Sequence, residues 1–78
     1  MADINLTPEW QAVAEGEGAA TFEALNRNVR WFVATSTPNT AGFSAPANKT
    51  VSMSLAAGET LYLRGVGTAV VLADNVPT

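Results

Sequence analysis

The chain has 78 residues, of which 47% are hydrophobic and only 14% charged, and its formal net charge is -3. It contains no cysteine and no histidine, which excludes disulfides and zinc sites built from these residues. The acidic net charge argues against nucleic-acid binding through a basic patch, and we predict no nucleic-acid partner. The basic residues are scattered along the sequence as Arg27, Arg30, Lys49 and Arg64.

The short length limits how much apolar surface the chain can cover by itself. A domain of this size buries only about 60% of the surface of its unfolded chain, and small folds usually gain further stability from disulfides, metals or oligomerisation. Oligomerisation is the remaining route here. No segment approaches the roughly 20 continuous apolar residues of a membrane helix, so we expect no membrane partner. The N-terminal segment has no basic region followed by an apolar run, so we expect no signal peptide. We therefore expect the protein to be made in a cytoplasm.

The N-terminal third of the chain predicts an extended arm and two strands. Pro8 disfavours helix at the residue before it, and we expect residues 1–8 to form an arm with a short extended lead at residues 4–6. The next strand covers residues 10–14, and the glycines that follow suit a turn because they tolerate positive φ. Residues 20–25 predict a strand with apolar and polar side chains on opposite faces.

The middle of the chain predicts the strongest strand and the longest loop. Residues 29–35 combine β-branched and aromatic side chains, which favour a pleated, half-buried surface. An Asn-Arg-Asn turn precedes this strand, since asparagine adopts positive φ more readily than most residues. Residues 36–48 predict an irregular loop, because Pro38 and Pro46 cannot donate ladder hydrogen bonds.

The last third predicts three further strands, at residues 50–55, 60–64 and 68–72, and a tail at residues 73–78. Six or seven short strands without significant helix indicate a single all-β domain over residues 1–78. The expected architecture is a small antiparallel β-sandwich or barrel, jelly-roll-like. The residues that we predict in its core are Trp10, Phe22, Trp31, Val33, Val51, Met53, Leu61 and Leu63.

Two of the predicted strands are apolar on both faces. In the strand at residues 29–35, the side chains of Phe32 and Trp31 point to opposite faces. In the last strand, those of Val70 and Val71 do the same. Because a large apolar patch is unusual on a monomer, we expect contact with another chain to cover one face; the alternative is that both faces are buried within one domain. Aromatic residues are typical of interface cores. The residues that we predict at the interface are Ile4, Leu6, Phe32, Phe43, Tyr62, Val66, Val70 and Leu72.

The sequence carries little reactive chemistry, and we predict no enzyme, catalytic residue, cofactor or metal. Nucleophilic catalysis normally needs a base beside the nucleophile, most often histidine. The alternatives are a serine paired with Lys49, a glycosidase-like carboxylate pair, and calcium held by Glu15 and Glu17. The Arg30-Trp31-Phe32 run permits base stacking. A solvated turn or polar strand face is the simpler interpretation of the acidic residues, no sequence context suggests an activated serine, and the acidic net charge argues against base stacking.

Several short motifs occur in an order that resembles small β-rich structural proteins of tailed-bacteriophage virions. The likeness covers about residues 6–72, and its most specific part is AAGETLYLRG at residues 56–65. The other motifs are Trp10-Gln11, Asn26-Arg27, TSTP at residues 35–38 and AGF at residues 41–43.

The resemblance implies a capsid decoration, or cement, protein. Such a protein is made in the host cytoplasm and lies on the capsid surface of the virion, where it binds the major capsid protein as an oligomer, with a trimer favoured. It stabilises the assembled shell because it binds that state preferentially. Residues 4–6 and the loop at residues 36–48 are expected to reach the capsid or a neighbouring subunit. The alternative that the resemblance implies is a tail, neck or fibre module that binds a receptor or glycan.

Overall fold

The computed structural model describes residues 2–76, which form eight β-strands and no helix, so the predicted all-β class is confirmed. Residue 1 of the predicted arm and residues 77–78 of the predicted tail lie outside the described residues. The strands are β1 (Ala2–Leu6), β2 (Gln11–Glu15), β3 (Gly18–Leu25), β4 (Val29–Ala34), β5 (Phe43–Ala45), β6 (Thr50–Leu55), β7 (Thr60–Gly65) and β8 (Gly67–Ala73). Within the described range, no helix has the length and apolarity needed to span a membrane.

The strands pair as a long ribbon folded back on itself. β1 pairs with β8, β2 with β7, β3 with β6 and β4 with β5, so the first half of the chain lies antiparallel to the second half. β8 also pairs with β3, and β7 with β4. The result is two four-stranded antiparallel sheets. The first sheet has the order β1-β8-β3-β6, and the second has the order β2-β7-β4-β5.

Both sheets contribute to one apolar core, because each strand turns alternate side chains inward. In β3, Ala20, Phe22 and Ala24 are buried, and in β7 Leu61 and Leu63 are buried. The other buried core residues are Leu6, Val13, Ala14, Val29, Ala45, Leu55, Ala69 and Val71. The predicted core residues Trp31, Val33, Val51 and Met53 are partly buried and pack against this cluster.

A bulge in β2 changes the expected alternation near Trp10. The register against β7 shifts between Ala12 and Ala14, and the extra residue of such a bulge allows Val13 and Ala14 both to be fully buried. Gln11 pairs with the buried Leu63, so Trp10, its neighbour, projects from the outer face. The prediction that Trp10 lies in the core is therefore wrong.

The structure has more strands than the six or seven that we predict, for two reasons. Residues within the predicted arm form β1, which pairs with β8 because Ile4 and Leu6 turn inward to the core. The predicted loop also contains the short strand β5, which pairs with the beginning of β4. Pro38 precedes β5 and Pro46 directly follows it. Neither proline lies within the strand, so every residue of β5 keeps its backbone N–H group.

Gly42, in the loop after β4, lies in a crowded position, whereas Gly58, in the turn after β6, lies in an open one. Both have positive φ, of 74° and 85°. A Cβ atom on Gly42 would lie 2.6 Å from Cη2 of Trp10 and 2.7 Å from the carbonyl oxygen of Trp31, whereas a Cβ atom on Gly58 would meet no atom within 4 Å.

We predict that Gly42→Ala destabilises the protein more than Gly58→Ala. Both changes incur a left-handed backbone cost of about 1–2 kcal/mol, and Gly42→Ala adds an overpacking cost of about 1–3 kcal/mol. Urea denaturation measures the free energy of unfolding of each variant. Equal losses in the two variants would contradict the placement of Gly42 against Trp10.

Candidate functional site

Three aromatic side chains of the second sheet, Phe32, Phe43 and Tyr62, form a group that we call the aromatic patch. Phe32 and Tyr62 project from the outer face, whereas Phe43 pairs with Trp31 and lies at the rim of the inner face, on the edge strand. Phe32 and Tyr62 lie directly opposite each other on β4 and β7, and both are half-buried. Phe43 is 55% exposed at the edge strand β5. Its ring stacks on Phe32 at a centroid distance of 5.7 Å and tilts against Trp31 at 5.0 Å. The aromatic rings of the patch therefore pack against one another, while the ring of Phe43 stays exposed at the sheet edge.

Trp10 and the loop after β4 cover part of this outer face. The indole Nε1 of Trp10 donates a hydrogen bond to the carbonyl oxygen of Thr40 at 3.2 Å, and the Arg64 guanidinium lies 5.1 Å from the centre of the Trp10 ring. A half-exposed indole usually finds an acceptor in this way. The chain's own residues thus hide some of the surface for which we expect a partner, while Phe43 stays open.

The outer face of the first sheet carries a second, smaller apolar surface formed by Val70 and Leu72. Leu72 is 59% exposed and Val70 is half-buried. Val70 lies opposite Asp3 on β1 and Glu23 on β3. The inward neighbours Ala69 and Val71 are buried in the core. The last strand is therefore covered by the chain on one face and open on the other.

The structure does not bring all of the predicted interface residues together. Leu6 is 7% exposed and belongs to the core, so its side chain is not available to a partner. Ile4 is half-buried and packs against the same core. Val66 is 59% exposed in the turn between β7 and β8, away from both apolar surfaces. The described chain thus groups Phe32, Phe43 and Tyr62 on one surface and Val70 with Leu72 on another.

Strand pairing gathers the basic residues at one end of the molecule, although they are scattered in the sequence. The turns after β1, β3, β5 and β7 share this end, as shown by strand register and by hydrogen bonds such as Asn48 N–H to Ala24 O at 2.7 Å. Arg27 and Lys49 lie in two of these turns, and Arg30 and Arg64 lie opposite each other near strand ends. The opposite end carries Glu15, Glu17, Glu59 and Asp74.

An open depression of about 800 Å³ lies at the basic end, and we call it the arginine depression. Its lining contains three arginines and no acidic residue. The lining residues are Pro8, Asn26, Arg27, Asn28, Val29, Arg30, Ser44, Arg64, Gly65 and Val66. Like charges directly opposite each other across a sheet repel, so the pairing of Arg30 with Arg64 concentrates positive charge at a cost to the isolated chain.

Side-chain hydrogen bonds hold the turn that presents Arg27. The Asn28 side-chain oxygen accepts a hydrogen bond from Ala47 N–H at 3.0 Å, and the Asn48 side-chain oxygen accepts one from Asn26 N–H at 3.4 Å. Asn26 has a φ of 68°, a conformation that asparagine tolerates better than most residues. The turn between β3 and β4 is thereby tied to the turn between β5 and β6.

At the acidic end, two carboxylates accept hydrogen bonds from backbone N–H groups. Asp74 Oδ2 accepts from Ala19 N–H at 2.9 Å, and Glu59 Oε1 accepts from Ala56 N–H at 2.7 Å. Glu15, the last residue of β2, and Glu17, in the turn that follows it, are both exposed. Over residues 2–76, no group of three or more acidic side chains is positioned to hold a metal ion. At this end of the molecule, Glu59 thus fixes the turn between β6 and β7, and Asp74, the residue after β8, is tied to β3.

Sequence reasoning missed the arginine depression because its members come from four separate segments. Once the strands are paired, the positions of the basic residues show a regularity. In a ribbon of antiparallel strands, alternate turns share one end, and each basic residue lies in or within two residues of such a turn. Recognition of that regularity requires the strand pairing, which residue types alone do not specify.

Comparisons with protein-family models, with curated proteins and with solved structures give no match for this chain.

We predict that Phe43→Ala costs much less stability than Phe22→Ala. Phe22 is 1% exposed at the centre of the core, and its truncation should cost about 3–5 kcal/mol. Phe43 is mostly exposed, and its loss should cost about 1 kcal/mol through its two aromatic contacts. Urea denaturation at low protein concentration measures both values. A cost for Phe43→Ala as large as that for Phe22→Ala would mean that this ring belongs to the core.

Proposed function

We propose that this chain is a structural protein of a tailed-phage virion, of the capsid decoration type, which binds the assembled capsid as an oligomer, with a trimer favoured. The observation that carries the proposal is the presence of two separate apolar surfaces on a small chain whose core is already complete. A decoration oligomer needs two such contacts, one between its own copies and one to the shell. The order of virion-like motifs in the sequence supports the same assignment.

The strand order supports the finer description of the fold as a jelly-roll sandwich. Eight antiparallel strands fall into two sheets in which β1 and β8, β2 and β7, β3 and β6, and β4 and β5 are neighbours. Jelly rolls have eight strands in two sheets and include viral capsid and lectin domains. This architecture fits a virion component. Because one fold serves many functions, the two apolar surfaces and not the fold carry the functional assignment.

The aromatic patch is the proposed contact between copies. Aromatic side chains are enriched in interface cores, and Phe43 lies on the edge strand β5 of the second sheet. An edge strand has unpaired backbone groups that recruit another chain. The surface formed by Val70 and Leu72 is the proposed contact to the major capsid protein. On this account the protein acts on the capsid surface of the virion, after synthesis in the host cytoplasm, without an enzymatic step or cofactor.

A tail, neck or fibre module that binds a receptor or glycan is the second candidate. The exposed ring of Phe43 supports it, because an open aromatic face is a suitable platform for a sugar ring. The two candidates differ in copy number: a decoration protein is present in hundreds of copies per particle and a fibre module in a handful. The intensity of the stained gel band from purified particles therefore separates them.

We predict that the protein binds assembled capsids of its phage and raises their disruption temperature, since a ligand of the assembled state stabilises that state. Leu72→Ser should weaken binding at least about tenfold, as expected for loss of an interface anchor. Val76→Ser is the matched control, because Val76 is 45% exposed outside both apolar surfaces. Co-sedimentation with capsids measures the affinity of each variant. Absence of binding by the unmodified protein would contradict the decoration role.

A further inference from the structure

We infer that the arginine depression is a binding site for a phosphate or sulfate group. The inference is independent of the proposed virion role, and either one can fail without the other. It starts from the placement of Arg27, Arg30 and Arg64 around one open space of about 800 Å³. Sites of roughly 300–1,000 Å³ are typical for small ligands.

The charge balance of the site favours an anion with more than one negative charge. Three guanidinium groups share the lining with neutral Asn26, Asn28 and Ser44 and with no carboxylate. The acidic residue of the neighbouring turn, Glu9, is exposed and outside the lining. A single carboxylate would neutralise one of three positive charges. A phosphate or sulfate carries more charge and presents several oxygens to more than one guanidinium group.

The arginines keep their donors available for such a ligand. The partners that the structure shows for two of them are uncharged: the Trp10 ring beneath Arg64, and the Gly42 carbonyl, which accepts from Arg30 Nη1 at 3.4 Å. The planar guanidinium fork suits bidentate contact with tetrahedral oxyanions. Ser44 lies opposite Arg30 in the register of β4 and β5, so its hydroxyl can add a neutral donor on the same face.

Contacts hold two of the arginine side chains, and the turn that carries the third, in place before a ligand binds. Arg64 packs on Trp10, Arg30 is anchored to the loop before β5, and the turn that carries Arg27 is tied to the next turn by Asn28 and Asn48. Preorganisation lowers the entropic cost of binding. A bound dianion would also relieve the repulsion between Arg30 and Arg64, so ligand should raise the thermal stability of the protein.

The test is calorimetric titration of the full chain with inorganic phosphate and with sulfate, at a constant ionic strength of about 0.1 M to screen distant charges. The test variants are Arg30→Gln and Arg27→Gln, which change exposed residues of the lining. The matched control is Lys49→Gln, which removes the same charge from the same end but outside the lining. Thermal unfolding of each variant checks that it remains folded.

We expect saturable binding by the unmodified protein, and a loss of affinity of about tenfold or more in each arginine variant, as for removal of a charge-assisted hydrogen bond. Lys49→Gln should change the affinity less than about twofold, because Lys49 is exposed and outside the lining, and salt screens an exposed charge that makes no direct contact with the ligand. Non-saturable binding, or equal weakening by Lys49→Gln and Arg30→Gln, would overturn the inference. Either result would mean that the anion is attracted by the general positive charge of this end and not by a defined site.

A second pair of titrations tests which kind of molecule carries the phosphate group that the depression binds. A sugar phosphate and a nucleoside monophosphate present the same phosphate on different carriers. Tighter binding of either one than of inorganic phosphate supports the site and identifies its carrier. Equal affinities support a site that recognises the oxyanion alone. Failure of both compounds to bind, with inorganic phosphate also inactive, would again overturn the inference.

Discussion

The reverse-order pairing of the two halves of the chain is the constraint on which the remaining structure depends. Because β1 pairs with β8 and each inner strand pairs in turn, alternate side chains of both sheets meet in one core around Phe22, Leu61 and Leu63. The same pairing places alternate turns at the same end. It therefore separates the basic residues from four of the acidic ones, and it leaves the outer faces of the two sheets as different surfaces.

Local sequence patterns predict much of this fold but little of its surface. The strands β3, β6 and β7 follow from their clean alternation, and β4 follows from its β-branched and aromatic residues. Short alternation does not reveal β5, whose three residues form a strand only because β4 offers an edge. Nor does it reveal the bulge that turns Trp10 outward. The arginine depression depends on pairing between distant segments, and so it lies beyond local pattern reasoning.

The exterior divides into regions with different physical character. The aromatic patch combines stacked rings with the backbone edge of β5, a combination that suits contact with another copy. The surface at Val70 and Leu72 is aliphatic and has acidic neighbours, Asp3 and Glu23. The arginine depression is polar and positively charged. We therefore propose that association, attachment to a capsid and anion binding use different residues of one small protein. The arginine depression adjoins the aromatic patch, because Arg30 and Arg64 are the next outward pair after Phe32 and Tyr62 on β4 and β7.

Sedimentation velocity of three forms of the protein tests most directly whether the aromatic patch joins copies of the chain. Phe43→Ser and Leu72→Ser form a matched pair, since each replaces an apolar residue of similar exposure, 55% and 59%, on opposite sheets. The account predicts that the unmodified protein and Leu72→Ser sediment as the same oligomer at micromolar concentration, while Phe43→Ser sediments as a monomer. A monomeric unmodified protein at that concentration would contradict it.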